Sequence, residues 1–251
     1  MANSLSTTSS PHPMIIESAT DLGIDALQNP GKYAGFMGIS VGHKFFSKAT
    51  MEYFFLWGSQ IFKEFIILIL DDPDTYNFMI FEDLTKEIAL NKARIIGDEK
   101  ARSYKKVINK LGVKNIKIVQ VRDFSQNTHY LNLYTKIKAY TEINSSFKQE
   151  LFNLMENGIG GKIQEHIKSR NITQKEAADI KEILSEYILE EFVSLVYFTE
   201  YGYPIEIDPT REFSTKKLLY EGQFPDLSRA LQLTKRGHVY THPEGVTKAS
   251  Y

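Results

Sequence analysis

The chain has 251 residues, of which 42% are hydrophobic and 24% charged, enough for a soluble globular core that needs no disulfide or metal staple. It has no cysteine, which excludes disulfides, thiolate metal sites and thiol nucleophiles and fits a reducing cytoplasm. A net charge of −1 excludes a polycation, so any nucleic-acid binding must come from a local patch.

The first thirteen residues are rich in Ser and Thr, carry Pro11 and Pro13, and read as a disordered tail. They lack the charged start and apolar run of an export signal. The rest, 14–251, reads as a single domain. A helical or loop lead-in ends near Asn29-Pro30-Gly31. Phe36 to Val41 reads as a buried strand, and Ser47 to Phe62 as a helix with Ser47 as its N-cap. Phe65 to Leu70 is a second buried strand. Lys63 and Glu64 interrupt the apolar stretch before it, which argues against a membrane span. Asp71-Asp72-Pro73-Asp74 reads as the stop of that strand.

Helical sequence then runs from about Asp83 to Leu111, with a break at Gly97-Asp98 and Gly112 as the C-terminal stop. Ile116 to Val121 is a third strand. Alternation of strands and helices predicts an α/β fold, a parallel sheet flanked by helices of Rossmann-like type. Further on, helices are expected over Ser146 to Ser169, weakened around Gly158 to Gly161, and from Thr173 to Glu200. A short strand, Pro204 to Ile207, follows. Helical pieces cover Thr215 to Tyr220 and Leu227 to Leu233, and the end from Lys235 reads as loop.

Three features carry chemistry. The first is Gly38-Ile39-Ser40-Val41-Gly42 at the end of the first predicted strand. Ligands bind beyond the carboxyl ends of strands in open α/β sheets, and flanking glycines allow a sharp turn and a close substrate approach. The pattern matches the nucleophile elbow of α/β-hydrolases, and it also suits acyl transfer on another α/β fold. A hydrolase would need Asp208 or Asp226 with His238 or His242.

The second feature is the helix from Thr173 to Glu200. Ile180, Ile183, Leu184, Tyr187, Ile188, Leu195 and Phe198 share one arc, while Glu182, Glu186 and Glu190 read as solvated charges. Glu191 falls within the apolar arc, one turn after Tyr187. A carboxylate there is costly unless paired or neutral, and suits proton transfer or an ammonium grip. The third is the segment holding Lys92, Arg94, Lys100, Arg102, Lys105, Lys106 and Lys110. On one continuous helix all but Lys100 share roughly half the circumference, which makes a phosphate-binding face.

Together these features resemble the tRNA-dependent cyclodipeptide synthases, over about residues 36–225. The family's nucleophilic serine, in a G-x-S segment ending the first strand, matches Ser40. Its Y-x-x-x-E pair on a late helix matches Tyr187 and Glu191, and a later active-site tyrosine matches Tyr203. Its basic tRNA-holding helix matches the Lys92 to Lys110 segment. Members with Asn three residues after the serine and Gln after the late tyrosine differ from this chain, which has His43 and Pro204 there. It is similar in this to a second subfamily with Tyr-Pro.

The resemblance implies a fold like the catalytic domain of tyrosyl- and tryptophanyl-tRNA synthetases, with no ATP-binding motif because the substrates arrive activated. It implies two aminoacyl-tRNAs as partners, no cofactor or metal, no DNA or membrane partner, and a cytoplasmic monomer. The expected chemistry is a Ser40 aminoacyl-enzyme, then a dipeptidyl-enzyme, then release of a cyclic dipeptide. The aminoacyl pocket would use Phe36, Gly38, His43, Leu68, Ser194, Tyr201 and Pro204. Bulky Phe36 and Tyr201 point to a small first residue.

Overall fold

A computed structural model describes residues 13–156, 160–200, 202–209, 219–231 and 235–246. In chain order the elements are β1 (Met14–Ala19), α1 (Asp21–Gln28), β2 (Ala34–Ile39), α2 (Lys48–Ile61), β3 (Glu64–Ile69), α3 (Asp71–Glu82), α4 (Lys86–Leu111), β4 (Ile116–Gln120), α5 (Thr128–Ile143), α6 (Ser145–Met155), α7 (Gly161–Ser169), α8 (Gln174–Glu200), β5 (Ile205–Asp208), α9 (Pro225–Ala230) and β6 (Gly237–Pro243). The six strands form one sheet in the order β1-β6-β5-β2-β3-β4. From β6 to β4 every pairing is parallel; only β1, at the edge, runs antiparallel to β6.

The strands alternate their side chains between two cores, as a sheet covered on both faces requires. Met37, Ile39, Phe65, Ile67 and Ile69 pack against α2 and α4 through Phe54, Phe55, Trp57, Ala101 and Tyr104. Phe36, Ile66 and Leu68 pack on the other face with α3, α5, α6 and α8.

Local signals explain most boundaries. Ser47 caps α2 by accepting from the Thr50 amide. Gly112 ends α4 in the left-handed region, at φ 69°. Five expectations are corrected. The acidic run after β3 does not stop the chain in a loop but opens α3, where acids favour the helix N-terminus and proline fits the first turn. Gly97 does not break α4. A Cβ there would meet Asp71 Cβ at 2.9 Å, so the glycine lets the helix pass close over the end of β3. Residues 14–19 form a strand rather than a helical or loop lead-in. The stretch after Lys235 is a nearly buried interior strand, its other neighbour β1 arriving from the far end of the chain. The expected Ser146 to Ser169 helix is two, α6 and α7. The expected tail and most of the Thr215 to Tyr220 piece lie outside the described residues.

Candidate active site

Ser40 directly follows β2, at the carboxyl rim of the parallel strands. Its Oγ donates to the Asp74 carboxylate, at 2.8 Å from Oδ2 and 3.0 Å from Oδ1. Asp74 comes from the first turn of α3, which starts at the end of the adjacent strand, so sheet register brings the two together. The carboxylate also accepts from the Val41 amide at 2.5 Å and from Asn77 Nδ2 at 2.6 Å. It is 2% exposed. Burial pushes its pKa above the usual carboxylate range, while its hydrogen bonds and the Lys100 charge act the other way.

Lys100 approaches the same loop from α4. Its Nζ donates to the carbonyls of Ser40 at 3.1 Å and Val41 at 3.0 Å. Burial lowers its pKa to about 8, with Asp74 opposing that shift. Lys100 is therefore a support beneath the serine loop and does not belong to the exposed basic face. Its position off the basic half of α4 was the sequence signal for this. No comparable signal marked Asp74, because acids at a helix start are ordinary.

On the other side lies α8. A Cβ on Gly38 would come within 2.7 Å of Leu195 Cδ2, and the Phe36 and Phe198 rings lie 5.9 Å apart. Gly38 thus makes room for helix packing rather than for a turn. These contacts run α8 antiparallel to β2, so its next turn back, Glu190 and Glu191, comes level with Ser40. Glu191 is half-buried and Tyr187, one turn further, is buried.

Two glutamates of this helix depart from the solvated role expected of them, because α8 is covered on nearly every side along this stretch. Glu190 accepts from Tyr76 Oη at 2.7 Å. Burial raises its pKa, partly offset by that bond and by Lys86. Glu186 accepts from Tyr134 Oη at 2.6 Å and Lys138 Nζ at 2.9 Å. Burial opposes its charge, but those two bonds outweigh it and hold the carboxyl below its ordinary value. Glu182 is exposed as expected.

The expected pocket residues separate. Phe36 and Leu68 on the sheet and Ser194 on α8 itself are wholly buried, and the Ser194 hydroxyl lies 3.2 Å from Tyr130 Oη and donates to the Glu190 carbonyl at 2.7 Å. His43 is half-buried beside the serine loop, its Nδ1 accepting from the Phe45 amide at 3.1 Å. Tyr201 lies outside the described residues.

Tyr203 and Pro204 are not brought to Ser40. They precede β5, whose Ile205 pairs with Gly35 near the amino end of β2. Two residues before Ile205 and five beyond Gly35 are about 23 Å apart along the strands, at ~3.3 Å per residue. The Tyr203 hydroxyl instead donates to Glu64 at the start of β3.

The basic helix divides as well. Arg94 forks onto Asp72, with Nε and Nη2 at 2.8 and 3.0 Å, and Lys92 pairs with Glu82. Arg102, Lys105, Lys106 and Lys110 are exposed.

The hydrolase arrangement is not formed. Ser40 bonds to a carboxylate, not a histidine, and is not among the residues of positive φ, so the left-handed strain that marks a sharp elbow is missing. His238 Nε2 lies 2.5 Å from Asp208 Oδ2 inside the sheet, level with Phe36 and two strands from β2. His242 Nε2 lies 2.9 Å from Glu17 Oε1 of the edge strand β1. Asp226 is an exposed residue in the first turn of α9.

Comparison with known proteins decides between these readings. The family model described as cyclodipeptide synthase matches residues 29–192, well over half of the chain. The chain belongs to the cyclodipeptide synthase family. It is accordingly an aminoacyltransferase that draws on charged tRNA. No curated protein matches it.

Among solved structures, the cyclodipeptide synthase of Fluoribacter dumoffii is similar with a TM-score of 0.73, at 16% identity, over 91% of this chain and 98% of that one. A Mycobacterium tuberculosis protein, whose structure relates cyclodipeptide synthetases to type I tRNA synthetases, matches with a TM-score of 0.66 at 15% identity, over 95% and 96%. The cyclodipeptide synthase of Candidatus Glomeribacter gigasporarum, solved bound to Phe-tRNAPhe, matches with a TM-score of 0.60 at 16% identity, over 93% and 96%. The sheet flanked by helices is thus the fold shared with these enzymes. Among the described residues, no helix is long and apolar enough to cross a membrane.

Proposed function

We propose that Ser40 takes an aminoacyl group from one charged tRNA and that two such groups leave the enzyme as a cyclic dipeptide. The observation that carries this is the Ser40 hydroxyl itself. It stands at the carboxyl rim, held by Asp74 and backed by Lys100, on the side where α8 brings Glu191 level with it.

In this reading Ser40 Oγ attacks the ester carbonyl of the first aminoacyl-tRNA. An ester replaces an ester, so the step needs little driving force, and covalent capture splits one hard reaction into easier ones. Tyr187 and Glu191 grip the ammonium of the captured group. Glu191 then takes its proton, and the freed amine attacks the ester of a second aminoacyl-tRNA. This order keeps the dipeptide on Ser40, whereas attack by the second amine on the Ser40 ester would leave the dipeptide on tRNA. The terminal amine finally attacks the Ser40 ester, closing the ring and freeing the serine. Ester-to-amide exchange makes both later steps downhill.

Arg102, Lys105, Lys106 and Lys110 offer the tRNA phosphates an exposed cationic stripe. Phe36, filling the space under α8, favours a small first aminoacyl group. Membership of the Tyr-Pro subfamily rests on His43 and on Tyr203-Pro204, and no chemistry is placed on Tyr203 because it stands at the opposite rim. A monomer in the cytoplasm fits this reading.

Expression of the chain in a bacterial host tests it. Cyclic dipeptides are expected in the medium by mass spectrometry, and none with Ser40→Ala. Cyclic dipeptides produced equally by the Ser40→Ala chain would overturn it.

A further inference from the structure

The reading above assigns Ser40 its task but not a base, and an aliphatic hydroxyl attacks an ester slowly unless its proton has somewhere to go. Among the described residues no histidine is bonded to Ser40, and the group that does meet its Oγ is the Asp74 carboxylate. We propose that Asp74 is a catalytic residue, the proton relay for acylation of Ser40, and that Lys100 is a positioning residue that holds the serine loop onto it.

Three features set Asp74 apart from a carboxylate that merely caps a loop. Both of its oxygens face the serine hydroxyl, within 3.0 Å. Its remaining capacity is taken by fixed donors, the Val41 amide and Asn77, which orient the carboxylate so that Ser40 keeps one rotamer. It is also nearly sealed from solvent, and burial moves its pKa upward, which makes the carboxylate a stronger base than an exposed one.

The charged surroundings are few. Lys100 faces Asp74 from α4, and Ser40 and Val41 meet it from the end of β2. Asn77 lies on its own helix, where Arg94 engages Asp72 and Arg122 engages Asp71. On the α8 side, Glu190 is bonded to Tyr76. Lys100 does not touch the hydroxyl. It ties the carbonyls of Ser40 and Val41, so it fixes the loop and stabilises the Asp74 anion through space.

The step balances without a further reactant. The bond from Oγ to the ester carbon forms as the Oγ proton passes to Asp74. The bond from that carbon to the ribose O3′ then breaks, and O3′ takes the proton from Asp74. The carboxylate is regenerated as the uncharged tRNA leaves.

This proposal rests on Ser40 being the acylated residue, and the test separates the two claims. Single-turnover acylation by one purified aminoacyl-tRNA is followed by acid quench for wild type, Asp74→Asn, Lys100→Met and Ser40→Ala. Affinity for the same tRNA is measured alongside. Asp74→Asn should acylate about 100-fold more slowly with its affinity for tRNA kept within about twofold. Lys100→Met should fall about tenfold in rate and still rise with pH, because Asp74 is present, but with that rise displaced upward by loss of the Lys100 charge. The wild-type rate should climb with pH as Asp74 ionises.

An Asp74→Asn rate within about threefold of wild type, with the same pH profile, overturns the relay and leaves Ser40 in place. A wild-type rate that stays unchanged down to the ordinary Asp pKa of about 4 overturns it without any variant, should Asp74→Asn fail to fold. Acylation of the Ser40→Ala chain would instead sink the serine reading on which the relay depends.

Discussion

Two of the buried carboxylates among the described residues, Asp208 and Asp74, invite comparison as catalytic groups, and of the two it is Asp74 that meets Ser40. Asp208 meets His238, the pairing that residue type alone would select for a serine hydrolase. His238, level with Phe36, is 0% exposed, and Asp208, the last residue of β5, is buried against it. Asp74 instead meets the Ser40 hydroxyl, the Val41 amide and Asn77 just beyond the end of β2. The difference teaches that the group a carboxylate meets outranks the pairing that residue type alone would select: Asp208 is engaged by a histidine two strands from β2, while Asp74 holds the Ser40 hydroxyl. Place on the sheet does remove Tyr203, which the motif order favoured, because it sits at the amino rim with Glu64.

The comparison can be broken on the α8 side first. Glu191→Gln should cost about 100-fold or more in cyclic dipeptide formation, while an aminoacyl-enzyme still accumulates on Ser40. Unchanged product yield would detach α8 from the carboxyl rim.

The second attempt is on the Asp208–His238 pair. His238→Ala removes a close partner of a buried carboxylate and should lower unfolding free energy by about 3 kcal/mol, read by denaturant titration. Turnover per folded molecule should stay within about twofold. Loss of turnover with the fold intact would return the pair to the active site.

Charge reversal at Lys105 and Lys106 should weaken tRNA binding about tenfold and flatten its salt dependence, read by filter binding across ionic strengths. Unchanged binding would move the tRNA off α4.

Asp71, at the carboxyl rim, sharpens the comparison through pH. Burial raises its pKa to about 6, with Asp72 adding to the shift and hydrogen bonds and Arg122 opposing it. A raised folded-state pKa means that its stabilising contribution is fully present below about pH 4. That contribution is lost as pH rises through about 6. Asp71→Asn should therefore gain on wild type in melting temperature between those two values as pH rises. A difference that does not change with pH would contradict that burial.

The smallest expected effect is at the amino rim. Tyr203→Phe should leave product yield within about twofold, even though contact with Glu64 and burial push its hydroxyl pKa up to about 12.

Much of this was legible in the sequence. The run from β2 to β4 showed itself through continuous apolar strands, the Ser47 cap and the Gly112 stop, all local signals. Ser40 stood out between its glycines and Glu191 because it breaks an apolar arc, while Tyr187 lies on that arc one turn before Glu191. What stayed hidden is non-local. β1 finds β6 across more than two hundred residues, and neither segment carries a strand signal strong enough alone. Glu186 and Glu190 looked solvated because one helix's periodicity cannot show that other helices and their tyrosines cover its polar side. Asp74 looked like a turn former because nothing in a single sequence says which neighbour its carboxylate will meet.

The most direct test of the account is the intact mass of the enzyme after brief incubation with one aminoacyl-tRNA and acid quench. The account predicts that wild type gains the mass of one aminoacyl group, on the peptide that holds Ser40, and that Ser40→Ala gains none. A wild-type enzyme that makes cyclic dipeptide yet never carries that mass, or a Ser40→Ala enzyme that does, would contradict it.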